Sequence, residues 1–136
     1  MRPSRRWVPC YVWLGIMLWA MVILSPKESP TWGEVTQLFW WIPPFMFHKV
    51  LHFFSYLILA QLIALGRLNG WRKRFDAASL RTFFIFGLPW CGAFELLQFF
   101  NPARTPAWFD VGINFAGLMT GWGLWLLTQR KAMDNG

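Results

Sequence analysis

Histidine, lysine, glutamate, arginine and aspartate recur in this chain at spacings suited to gripping an anion or moving a proton. His48 and His52 stand four residues apart, Lys49 lies between them, and Tyr56 follows one turn later. On a helix His48, His52 and Tyr56 share one face. Glu95 and Gln98 form a second pair, Asp110 and Asn114 a third, and Arg104 falls between those two pairs. Lys49 and Arg104 supply positive charge for a phosphate or carboxylate, which a guanidinium can hold through two parallel N–H bonds. His52, Glu95 and Asp110 are the candidates for acid–base work, because burial and neighbouring charge tune such groups toward proton transfer. The candidate binding set is therefore Lys49, His52, Tyr56, Glu95, Gln98, Arg104, Asp110 and Asn114.

The same residues have plainer uses. Glu95, Arg104 and Asp110 would also make an ion-pair network that locks a short hairpin. His48 and His52 with Glu95 and Asp110 would make a chemically reasonable zinc set. Against zinc, Lys49 stands beside the histidines, and a His pair in a membrane bundle more often hydrogen-bonds than ligates. No metal and no other cofactor is therefore expected. Ser55 lies near His52 but no nucleophile motif surrounds it.

The elements that position these groups are apolar. Of 136 residues, 56% are hydrophobic and only 14% charged, with eleven tryptophans and fourteen phenylalanines. Apolar runs cover about 7–24, 45–65, 82–100 and 109–128, each near the length that crosses a bilayer as a helix. They lack the alternation of barrel strands, and helices satisfy their own backbone in lipid. The expected fold is all-α: a single polytopic membrane domain, 1–136, of four transmembrane helices. A charge inside hydrocarbon costs roughly 2.5–3.5 kcal/mol on insertion scales, so the embedded ionisable residues should face a partner, a cavity or a ligand.

Orientation follows from the basic residues. Arg2, Arg5 and Arg6 precede the first run, Arg67, Arg72, Lys73, Arg74 and Arg81 separate the second from the third, and Arg130 and Lys131 follow the fourth. The positive-inside rule then places both termini and the middle loop in the cytoplasm. The head of the second run, the end of the third and the head of the fourth would meet at the outer side. The +7 net charge is explained by these flanks, and no basic reading helix or aromatic platform argues for nucleic acid. Ser4-Arg5-Arg6-Trp7-Val8 looks like a twin-arginine signal, but Ser25-Pro26-Lys27 offers no small-residue cleavage site, so the first helix is expected to be kept.

Within the third run, Pro89 should kink the helix unless its freed carbonyl is captured. Trp40, Trp41, Trp71 and Trp108 suit interfacial anchors. Cys10 and Cys91 are expected at different depths and unpaired. Gly117 and Gly121, four apart, would allow close helix approach, within the chain or in a homodimer.

At the polar clusters the chain resembles the VanZ-like family of small bacterial membrane proteins. The resemblance rests on Lys49-x-x-His52-Phe53-x-x-Tyr56, Glu95-x-x-Gln98, Pro102-x-Arg104 and Asp110-x-x-x-Asn114-x-x-Gly117. His48 stands where the family commonly has an acidic residue, so it is treated as peripheral. The resemblance implies a multi-pass protein of the bacterial cytoplasmic membrane with cell-envelope work, in a family named for a protein associated with low-level teicoplanin resistance. Two classes of function fit. One is a site for an anionic lipid or lipid-linked precursor at the outer leaflet, which it binds or modifies. The other is a non-catalytic accessory or scaffold subunit of an envelope enzyme, docking through the Gly117/Gly121 face.

Overall fold

A computed structural model describes residues 5–20, 44–68, 81–101 and 107–134. Among the described residues four α-helices carry the fold: α1 Val8–Leu18, α2 Pro44–Leu68, α3 Leu88–Gln98 and α4 Trp108–Asp134. A 3₁₀ turn, Arg5–Trp7, leads into α1, and a π-helical turn, Phe83–Gly87, leads into α3. No strand occurs among the described residues. The expected helices at 45–65 and 109–128 are present and longer than hydropathy suggested. α4 continues to Asp134 because its polar end carries no proline or glycine to stop it, and helix formation does not require apolarity.

Two segments, Met46–Gly66 and Trp108–Thr128, are long and apolar enough to cross a membrane. Phe83–Gln98 is a shorter apolar helix. Their surfaces are apolar too: Phe54, Ile85, Leu96, Phe99 and Leu127 are exposed, and Phe100 and Trp108 are 86% and 78% exposed. An apolar surface this extensive is a liability in water and an ordinary lipid-facing surface in a bilayer.

α2 and α4 form the central pair. A Cβ on Gly117 would collide with the backbone of Phe53, and one on Gly121 would come within 2.6 Å of the Leu57 carbonyl oxygen and 2.7 Å of the Ala60 Cβ. Small residues in membrane bundles allow this backbone-to-backbone approach. Gln61 strengthens the contact, donating from Nε2 to the Gly121 carbonyl at 2.5 Å. The glycine face is thus covered by α2 of the same chain.

Polar bonds and a shared core tie α1 and α3 to α2. Trp13 Nε1 of α1 donates to the Ser55 carbonyl at 3.0 Å, and Tyr56 Oη donates to the Trp90 carbonyl of α3 at 2.5 Å. Between them pack Leu59, Ile63, Phe83, Phe94, Leu118 and Trp125, all buried. Pro89 stands in the first turn of α3, immediately after the π turn. The π turn ends directly before α3, so the ladder is widened just where the missing Pro89 N–H and its ring would disrupt regular pairing. Cys10 and Cys91 are buried and free, as expected. Trp40, Trp41 and Trp71, and residues 21–24 of the first expected helix, lie outside the described residues.

Candidate functional site

The polar residues of α2, α3 and α4 converge because the helices alternate in direction. Lys49 and His52 lie near the start of α2, Glu95 and Gln98 at the end of α3, and Asp110 and Asn114 near the start of α4. Those three helix ends meet at one end of the bundle. Buried there are His52, Glu95, Gln98, Asp110 and Asn114, with Asn114 at 0% and His52 at 1% exposure.

His52 is held from several sides. Asn114 Nδ2 donates to the Cys91 carbonyl at 3.1 Å, which turns its Oδ1 toward His52 Nδ1 at 2.8 Å. An amide oxygen accepts only, so His52 carries a proton on Nδ1. Its Nε2 lies 3.2 Å from His48 Nε2. Glu95 Oε1 lies 3.7 Å from His52 Nδ1 and accepts from Gln98 Nε2 at 3.3 Å, while Glu95 Oε2 accepts from the Ala107 N–H at 3.3 Å. One carboxylate therefore braces α2, α3 and the start of the α4 approach.

The second centre is Asp110. Its Oδ1 accepts from Lys49 Nζ at 3.0 Å, and its Oδ2 faces His48 Nδ1 at 3.9 Å. Lys49 also stands 4.7 Å above the Phe109 ring, a cation–π distance. The side chains of His48 and Lys49 are 36% and 35% exposed, against 8% for Asp110. The site is thus a closed polar floor with a half-open rim of one imidazole and one ammonium. Chemically it can present a cation to an anionic group while the histidine pair behind it passes or holds a proton.

Of the sequence candidates, Lys49, His52, Glu95, Gln98, Asp110 and Asn114 are brought together. Tyr56 is not part of that bonded set: one turn deeper on α2, its hydroxyl is buried and spent on the Trp90 carbonyl. Arg104 lies outside the described residues. His48, treated as peripheral, is central, touching both His52 and Asp110. Its spacing from His52 was the available signal. Phe109 was missed, and nothing in its sequence setting distinguishes it from other interfacial aromatics.

A helical bundle with two bilayer-length apolar helices, a lipid-compatible surface and a buried ionic network at one end is a membrane protein by class. The chain belongs to the VanZ/LLP1 family, whose family model matches residues 11–129. That span contains every residue of the site. Membership suggests a function in or linked to the cell envelope. Curated proteins and solved structures give no significant match.

Proposed function

We propose that this protein binds the anionic headgroup of a cell-envelope lipid or lipid-linked precursor at the outer leaflet of the bacterial cytoplasmic membrane. In this reading four helices span the bilayer, both termini and the α2–α3 loop face the cytoplasm, and the polar end faces out. The observation that carries it is the half-exposed Lys49 set above a fully buried His52–Asn114–Glu95 network. An ammonium fixed by Asp110 and Phe109 is oriented before a ligand arrives, so little side-chain freedom remains to be lost on binding. The acyl chains of such a ligand would stay in lipid beside Phe99, Phe100 and Phe109, which are all exposed.

Arg104, which falls between α3 and α4 in the sequence, is the second cation we assign to the headgroup. His52, with Glu95 and Asp110 around it, provides acid–base capacity if the ligand is modified as well as bound. A phosphate or carboxylate headgroup of an envelope precursor also accords with a family named for teicoplanin resistance.

Native mass spectrometry in mild detergent tests this directly. Wild-type protein should carry one anionic lipid or precursor, and the charge-removing pair Lys49→Gln/Asp110→Asn should lose it while keeping helix content. An identical set of adducts on both proteins refutes the assignment of Lys49.

A further inference from the structure

Beyond headgroup binding, and independently of it, we infer that His48, His52 and Asp110 form a binding site for a divalent transition metal, zinc by preference. One nitrogen from each histidine and one Asp110 oxygen lie within 4.8 Å of one another. The two Nε2 atoms are 3.2 Å apart. Two nitrogens bound to one tetrahedral zinc at about 2.0–2.1 Å stand about 3.3 Å apart, so the pair is already at ligand spacing. An Asp110 oxygen lies within 4.8 Å of a nitrogen of each histidine, close enough to close in on a bound ion by side-chain rotation.

The surroundings have the form of a metal site's outer layer. Ligating histidines ordinarily donate their other ring N–H to a carboxylate or carbonyl oxygen, which fixes the tautomer. His52 does this: Nδ1 faces Asn114 Oδ1 at 2.8 Å with Glu95 Oε1 at 3.7 Å behind it, so Nε2 is the nitrogen presented to a metal. Lys49 does not compete for the same atom. It occupies Asp110 Oδ1 and leaves Oδ2 on the histidine side. That removes the objection raised by the Lys49 position in the sequence.

Two imidazoles and one carboxylate are the ligand set of a site that keeps a coordination position open. His48, the most exposed of the three, puts that open position at the rim. A water or an anionic oxygen would complete the shell.

The whole chain, without a polyhistidine tag, is purified in mild detergent, stripped with chelator and titrated with cobalt(II) alone and then zinc. We expect one cobalt per chain with the visible bands of four-coordinate cobalt, bleached by zinc. His48→Ala should weaken binding by about 100-fold or more, the scale on which even outer-layer changes reach 10–100-fold. The metal-free variant should melt lower, because it loses a partner of the buried His52 Nε2, so each protein is compared with itself; metal should raise the melting temperature of the wild type and not of His48→Ala. Lys49→Gln should keep the metal, which separates this site from the headgroup assignment. Failure of the wild type to take up stoichiometric cobalt or zinc overturns the inference, as does equal affinity in wild type and His48→Ala.

Discussion

Substituting alanine for Gly117 should destabilise this protein, whereas the same change at Gly112 on the same helix should not. A Cβ at Gly117 would overlap the Phe53 carbonyl, a backbone atom of α2 that cannot rotate aside. Relief requires α4 to retreat from α2 by roughly 1 Å, the distance that returns such a contact to van der Waals range. Overpacking of this kind costs typically about 1–3 kcal/mol, and the upper end applies where the obstacle is backbone. Alanine gains about 1 kcal/mol of helix propensity over glycine, so the net loss should be about 2 kcal/mol. Gly112 meets nothing within 4 Å of an added Cβ, so there only the propensity gain remains. The site should register the same displacement: Lys49 Nζ–Asp110 Oδ1 at 3.0 Å and His52 Nδ1–Asn114 Oδ1 at 2.8 Å both bridge α2 and α4. Equilibrium unfolding in detergent by circular dichroism measures the sign at each position. Equal stability of Gly117→Ala and Gly112→Ala would refute the close α2–α4 contact.

Asp110→Asn should cost about 1–2 kcal/mol, discounted for the solvent that reaches Lys49. A double-mutant cycle with Lys49→Gln should recover part of that loss, and strict additivity would show that the pair is uncoupled. Asn114→Leu should cost about 1–3 kcal/mol, since it removes the Oδ1 acceptor at 2.8 Å from the buried His52 Nδ1; unfolding in denaturant reads it. Gln61→Leu should cost only about 0.6 kcal/mol, the average for an interhelical hydrogen bond in a membrane bundle, and a loss comparable to Asn114→Leu would contradict the geometry. Reporter fusions after Thr128 and between α2 and α3 should both give cytoplasmic signals, and a periplasmic signal from either would invert the proposed orientation.

Hydropathy made α2 and α4 legible, because bilayer-length apolar runs leave few alternatives. It could not place their ends, as α4 shows by running on to Asp134 through polar residues. Alternating helix direction made the meeting of Lys49, Glu95 and Asp110 legible before any contact was known. Which acid pairs with which cation was not legible. Periodicity assigns a residue to a face, but the neighbour of that face depends on helix rotation and tilt, set by packing across the bundle. This is why Asp110 bonds Lys49, why Tyr56 leaves the polar set for the Trp90 carbonyl, and why His48 sits between His52 and Asp110. The substitution of a histidine for the family's usual acid hid its role, since a departure from a motif carries no information about the new side chain's contacts.

The ionic end of this bundle is poorly explained by stability alone. Burying charges costs several kcal/mol each, and well-packed apolar groups of the same volume often do as well or better. A hairpin of α3 and α4 that needed only to be closed could use the leucines and phenylalanines already abundant in this chain. Instead, two backbones are brought into contact at Gly117 and Gly121, with no side chain able to intervene. That contact lies one to three turns from Asn114 and Asp110, and it holds α4 at the distance where a 2.8 Å bond to His52 and a 3.0 Å bond to Lys49 can form. The glycine seam therefore acts on the polar site as well as on the fold. A looser seam filled by larger residues would still give a stable apolar bundle, but it would separate the imidazole pair and ammonium on α2 from the carboxylate and amide on α4. In the proposed function, that fixed separation would let a half-open cation, and a metal beside it, meet a negatively charged ligand.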